Sequence, residues 1–224
     1  MYLTQMHLNP SRRGTRWLLA SPQRIHAAVL SSFPPGTAAE SPDGRILWRV
    51  DHAAADRTLT LYVSSPGKPD LTGIVEQAGW PATDHGWRTA PTTPLLDGLK
   101  SGQRWGFRLT ANPVHSVAVP GERGKRFGHV TVEKQEQWFL DRMAGWGFAV
   151  EDTGGGLPLK LHSRRQLSFS RRTDWTDRTV TVAVATYDGV LTVSDPDLLR
   201  HALCHGVGRA KAYGCGLLTL APLS

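Results

Sequence analysis

The sequence predicts an α+β fold made of two ferredoxin-like (RRM-like) units in tandem, the second modified by a basic β-hairpin and a C-terminal Gly-rich loop. Three observations carry this reading. Strand-like and helix-like stretches run in the order β-α-β-β-α-β through the first half. A similar alternation returns less cleanly in the second half, around a long hairpin. Finally, 224 residues with 40% hydrophobic content and eight tryptophans are enough for two packed cores. The expected units are residues 1–112 and 113–224.

In the first half, Leu3 to Leu8, Ile46 to Val50, Leu59 to Val63 and Trp105 to Leu109 read as strands, with apolar residues alternating in several. Pro22 to Phe33 reads as a helix, because Ser21 suits the N-cap, Pro22 suits the first turn, and Ile25, Val29 and Phe33 recur every four residues. Leu71 to Ala78 is the second helix. In the second half, a strand is expected near Val114 to Val119, a helix from Glu133 to Ala144 and a strand at Phe148 to Glu151. Leu161 to Ser170 and Thr179 to Ala185 form the arms of the hairpin, with Asp174-Trp-Thr-Asp177 at its tip. Strand Val190 to Val193, helix Asp197 to Leu203 and a closing strand within Leu217 to Leu220 complete the chain. Gly121 to Gly128, carrying Arg123, Lys125 and Arg126, reads as a mobile basic loop.

The charge is both large and segregated. Lys plus Arg number 26 against 19 Asp plus Glu, a net charge of +7, which favours a polyanionic partner. No acidic residue lies between Asp152 and Asp174, a gap that holds Lys160, Arg164, Arg165, Arg171 and Arg172, and no carboxylate side chain follows Asp197. Such separation of sign makes a face able to hold phosphates, although a solvated strand face fits the hairpin cations as well. No apolar run approaches the roughly 20 residues that span a bilayer, and no export signal opens the chain. A cytoplasmic protein without a membrane partner is expected. Cys204 and Cys215 lack C-x-x-C spacing, which supports neither a zinc site nor a disulfide framework.

The segment from His205 to Pro222 reads His-Gly-Val-Gly-Arg-Ala-Lys-Ala-Tyr-Gly-Cys-Gly-Leu-Leu-Thr-Leu-Ala-Pro. Gly206, Gly208, Gly214 and Gly216 permit positive φ and close approach of another backbone, while Arg209 and Lys211 add charge, so a phosphate cradle fits the composition. Nucleotide motifs do not. A P-loop needs Ser or Thr after its Lys and then a helix, whereas Lys211 is followed by Ala212 and an apolar strand. Gly206-Val-Gly208 lacks the third glycine of a dinucleotide fingerprint. A plain turn before a last strand remains an equal alternative on spacing alone.

A closing loop of the form G-x-G-x-x-K-x-x-G-x-G-L-L resembles that of the CRISPR repeat-processing endoribonucleases, and among them the CasE family. The opening strand Met1-Tyr-Leu-Thr-Gln-Met-His-Leu-Asn-Pro10 and the helix start Ser21-Pro-Gln-Arg-Ile-His26 are similar to that family's, as are Ile46-Leu-Trp-Arg49 and Phe107-Arg-Leu-Thr-Ala-Asn-Pro113, matched to its second and fourth strands. The likeness covers essentially the whole chain and is least specific over residues 64–100. It implies an endonuclease that cuts CRISPR repeat stem-loops by attack of a 2′-OH on the adjacent phosphorus. The products would be a 2′,3′-cyclic phosphate and a 5′-hydroxyl, with no metal or cofactor. It also implies retention of the product hairpin within Cascade, beside that complex's backbone subunit, and no small-molecule substrate.

Under that resemblance His26 is the catalytic histidine, since imidazole titrates near pH 6.5 and can accept or donate a proton. A lone helical histidine is otherwise structural or merely exposed. Lys211 or Arg209, with the loop's N–H groups, would stabilise the phosphorane. Relatives can carry a tyrosine three residues before the histidine where this chain has Gln23, which joins His26 and Lys211 as a catalytic candidate, although its amide can hydrogen-bond RNA but not act as a phenol. RNA contacts are expected from Lys160, Arg164, Arg165, Arg171 and Arg172, and then from Arg123, Lys125 and Arg126. The rival reading is an RNA-binding or assembly subunit without catalysis.

Overall fold

The computed structural model describes residues 1–53, 58–81, 86–119, 122–152, 154–173 and 176–223, with the backbone alone for residues 118–119, 122–124, 171–173 and 176–178. Strand β1 (Tyr2–Leu8) leads through helices α1 (Arg13–Leu19) and α2 (Pro22–Leu30) to a small hairpin, β2 (Glu40–Ser41) and β3 (Gly44–Arg45). Strands β4 (Leu47–Ala53) and β5 (Thr58–Ser65) follow, then helix α3 (Thr72–Ala78) and strand β6 (Arg88–Pro91). The sheet order is β4-β5-β1-β6, every pair antiparallel. Alternation places Met6, Leu8, Trp48, Leu61 and Val63 on one face, where they bury against Leu18, Ile25, Val29, Leu71 and Ile74 of the helices. Each such side chain contributes about 1.5–3 kcal/mol on burial.

A short helix α4 (Thr93–Asp97) connects to the second half, which comprises β7 (Arg104–Ala111), β8 (Val114–Val119), β9 (Glu122–Gly128), α5 (Val132–Met143), β10 (Phe148–Ala149), β11 (Leu159–Thr173), β12 (Thr176–Val193), α6 (Pro196–His205) and β13 (Leu218–Ala221). The main sheet runs β10-β12-β7-β13, with β11 also paired to β12. Its core is aromatic: Phe139 stacks on Phe107 at 5.6 Å and on Tyr187 at 4.8 Å. The buried Tyr187 hydroxyl donates to the Gln135 carbonyl at 2.9 Å, so that hydroxyl is paired inside the core, whereas the buried Trp105 Nε1 at the core's margin has no partner among the described residues.

Several sequence expectations need correction. Trp105 to Leu109 is a strand, but β7 pairs with β12 and β13 of the second sheet, and the fourth strand of the first sheet is Arg88–Pro91. Arg88-Thr-Ala-Pro has no apolar alternation and ends in a proline, which only an edge strand tolerates; alternation marked β7 as a strand without saying which sheet it joins. The expected mobile basic loop is strand β9, which pairs with β8 from Val114 opposite Gly128 onward; Gly121 lies outside the described residues. Helix α1 escaped notice because Arg13-Gly-Thr-Arg interrupts its apolar period, although Thr15 and Leu18 are buried. The hairpin arms are longer than expected, and Val190 to Val193 is the end of β12 rather than a separate strand. Asp174 and Trp175, at the expected tip, lie outside the described residues.

The two sheets are bolted together by Arg49 on β4. It is 3% exposed, yet every donor is engaged. Nε and Nη2 meet the Asp51 carboxylate at 2.6 and 3.0 Å, Nη1 donates to the carbonyls of Arg108 and Leu217 at 3.1 and 2.9 Å, and Nη2 reaches Thr219 Oγ1 at 3.0 Å. Arg108 in turn forms a bidentate pair with Asp188 at 2.6 Å and approaches Asp51 at 3.4 Å. Burying these charges is tolerable because each is paired and hydrogen-bonded.

Candidate active site

Helix α2 begins where the sequence places it, with Ser21 extended at the N-cap and Pro22 in the first turn, although the Ser21 side chain makes no capping bond. Ile25 and Val29 turn into the core, and the next position along, His26, lies half-buried at its margin. Trp48 Nε1 on β4 donates to His26 Nδ1 at 3.3 Å. An indole can only donate, so Nδ1 is the acceptor and the neutral ring carries its proton on Nε2.

The Gly-rich loop comes to this point from the far end of the chain. After α6, Val207 N–H donates to the Gly216 carbonyl at 3.0 Å and Gly216 N–H to the Thr110 carbonyl at 2.7 Å, which close the loop and anchor it on β7. Within it, Lys211–Tyr213 form a short 3-10 turn that packs directly against α2. Gly214 then has φ +80°, and a Cβ there would sit 2.8 Å from the Trp48 ring. The position therefore needs glycine both for its backbone and for close packing on the residue that holds His26. Gly206, Gly208 and Gly216 also have positive φ.

The electrostatics join the same groups. The half-buried His26 imidazole is held below its ordinary value by burial first and by the Arg45 guanidinium second. The Lys211 ammonium is lowered by burial and by the same Arg45, partly offset by Glu40. Arg45 pairs with Glu40, more than half exposed, and the same carboxylate acts on Lys211, while Arg45 also acts on His26. Trp48 and Arg45 were not singled out from sequence as site residues. Trp48 lies inside the quoted stretch Ile46-Leu-Trp-Arg49, but no local spacing ties position 48 to position 26.

The remaining expected residues divide by place. Gln23 lines a groove between α2 and the hairpin with Arg24, Ala27 and Ser168 to Ser170. Arg164 and Arg165, neighbours on β11, go separate ways. Arg164 Nε donates to Gln135 Oε1 at 2.8 Å and its Nη2 to the Val130 carbonyl, tying the hairpin to α5, whereas exposed Arg165 lines a cavity of about 290 Å3 between the sheets, with His52, Tyr213 and Gly214. Tyr213 meets Phe169 edge-on at 4.9 Å, docking the loop on the hairpin. Lys160, Lys125, Arg126 and Arg209 are exposed. The side chains of Arg123, Arg171 and Arg172 lie outside the described ones. Among the described residues no group of three or more His, Cys, Asp or Glu could hold a metal ion, both cysteines are free, and no helix is long and apolar enough to cross a membrane.

The structure thus packs helix α2, which bears His26, against the turn of a cationic glycine loop near the junction of two sheets, and comparison with known proteins says where such an arrangement belongs. The sequence model of the family described as CRISPR associated protein matches residues 1–222. The CRISPR-associated endoribonuclease Cse3 of Thermus thermophilus is 31% identical over 225 residues, covering 99% of this chain and 100% of that protein. The CRISPR system Cascade subunit CasE of Escherichia coli K12 is 33% identical over 188 residues, 79% of this chain and 89% of its own. A solved structure of CRISPR endoribonuclease Cse3 bound to 19 nt RNA superposes with a TM-score of 0.78 at 29% identity, over 99% of this chain and 100% of that one. The chain belongs to the CasE/Cse3 family of CRISPR-associated proteins.

Proposed function

We propose that this protein is the endoribonuclease that cuts the repeat stem-loops of CRISPR precursor RNA and stays on the product hairpin as a Cascade subunit. The observation that carries the reading is the packing of α2, which bears His26, against the Lys211–Tyr213 turn of the loop. Relatives named as an endoribonuclease and as a Cascade subunit, together with an RNA-bound neighbour, support it. The first-sheet order, second strand beside third, third beside first and first beside fourth, is that of a ferredoxin-like unit. We read the second half as a modified copy. The pairing of β7 with β12 supports placing the division between these two units in the segment around α4 rather than at residue 112.

In the proposed reaction the 2′-OH attacks its neighbouring phosphorus, a P–O2′ bond forms, the P–O5′ bond breaks, one proton leaves the 2′-oxygen and one is gained by the 5′-oxygen. His26 carries out one of these transfers through Nε2, and Trp48 orients the ring from the opposite nitrogen. Lys211 and Arg45 supply charge to the phosphorane oxygens. Gln23 binds RNA in the groove between α2 and the hairpin. Arg165, Lys160, Arg171, Arg172 and the β8–β9 cations contact phosphates, while Arg164, already engaged, contributes little. The protein acts without metal, in the cytoplasm.

Cleavage tests the reading. Purified protein in EDTA should cut a hairpin from its own repeat at the 3′ base of the stem, and a single 2′-deoxy substitution at the attacking nucleotide should stop cutting while leaving binding intact. Cutting of the deoxy substrate would remove the proposed nucleophile. Tight binding of the unmodified hairpin without any cutting would leave an assembly subunit in place of an enzyme.

A further inference from the structure

The Gly-rich loop has a second side. Its turn at Lys211–Tyr213 faces α2, but Gly208 and Arg209 line a separate groove of about 570 Å3 with Asn112, His115, Arg142 and Trp146. That volume lies within the range of small-ligand sites and accommodates a nucleotide. The groove is basic and aromatic, with no Asp or Glu among the described residues that line it.

Arg142 on α5 is exposed but not loose. Its Nη1 donates to the Trp138 carbonyl at 3.1 Å, and the guanidinium lies over the Trp138 ring, 4.9 Å from its centroid. Neither Arg142 nor Arg209 has a carboxylate within 4 Å among the described residues. The N–H groups of Gly208 and Arg209 donate to no acceptor among the described residues. The walls are therefore a pre-positioned planar cation, an exposed cation, backbone donors without an acceptor among the described residues and half-buried Trp146, the combination that holds an unpaired strand by its phosphates and base faces.

We infer that this groove binds the unpaired nucleotides on the 3′ side of the scissile phosphate, the strand that leaves after cutting. The inference rests on the endonuclease reading above. If the cut falls at the 3′ base of the stem, the nucleotide just 5′ of the scissile phosphate is paired and those just 3′ of it are not. A slot of this size on one short loop suits the flank rather than a helix. Arg209 is two residues from Lys211, at most about 7 Å along the chain, so a strand engaged at one side of the loop passes directly to the other. Ground-state grip on the leaving strand positions the phosphate for attack and disappears once that strand is released.

Two RNAs test this. One is the repeat hairpin ending just before the scissile phosphate; the other carries a short unpaired 3′ extension and a 2′-deoxy at the attacking nucleotide, so that it is not cut. The wild-type protein should bind the extended RNA about tenfold more tightly. Arg142→Ala should lose most of that increment, keep its affinity for the short hairpin within about twofold, and flatten the salt dependence by about 0.7 on the extended RNA alone. Trp146→Ala should do the same without the salt effect, and Trp146→Phe should restore the increment. Equal binding of both RNAs by wild type, an increment that survives Arg142→Ala, or equal loss on both RNAs would each overturn the inference. Wild type that gains affinity from the extension but never cuts its all-ribose form would retain the groove and remove the enzyme.

Discussion

Arg49 and Arg45 lie four residues apart near the junction of the two sheets and have opposite fates. Around Arg49 every donor is answered, by Asp51, by two carbonyls and by a threonine, and the neighbouring Arg108 is held by Asp188. Around Arg45 the balance is left open: the largely exposed Glu40 pairs with Arg45 and acts on Lys211, while His26 feels the Arg45 charge. A saturated cation is part of the fold. An unsaturated cluster beside a glycine loop costs stability and is explained by a polyanion that completes it. The same residue type thus makes a bolt in one place and a site in the other, and the distinction lies in the partners rather than in the sequence.

That contrast can be broken experimentally. The largest expected effect is on the open side: His26→Ala should slow single-turnover cleavage by about 10²–10⁴-fold with affinity nearly unchanged, and normal cutting by a folded variant would remove it from the site. On the closed side, Asp51→Ala should lower unfolding free energy by about 3–5 kcal/mol in urea titration, because it leaves Arg49 buried without its carboxylate. Glu40→Ala, at an exposed pair, should cost no more than about 1 kcal/mol. Similar losses at both would erase the comparison.

Smaller effects sharpen it. Lys211→Gln should weaken binding of the uncut deoxy hairpin and reduce its log–log salt slope by about 0.7–0.9, the signature of one lost phosphate contact. Burial and Arg45 both disfavour imidazolium at His26, so the neutral ring persists below its ordinary 6.5 and a step that uses it should fail only below that pH. Arg45→Ala removes one of those influences, and the acidic limb of its pH–rate profile should move to higher pH. A limb that stays still or moves down would detach Arg45 from His26.

Much of this was legible in the chain, and the rest was hidden for physical reasons. Helix α2 and the glycine loop announce themselves locally, through Ser21-Pro22, the period of Ile25 and Val29, and four glycines with two cations. Their meeting is a tertiary event, and no spacing reveals it. Strand β6 was missed because a short edge strand needs neither alternation nor an unbroken set of N–H donors. Arg164 and Arg165 looked equivalent, yet period two sends one to α5 and the other to the cavity. Trp48 was visible as an apolar strand residue, and only its bond to His26 makes it a positioning residue.

The most direct test of the central claim is a double-mutant cycle between the helix and the loop. If His26 and Lys211 serve one phosphorus, His26→Ala and Lys211→Ala should be strongly non-additive in single-turnover rate, with the double variant scarcely slower than the worse single one. Losses that multiply in full, as for two independent positions, would contradict the account.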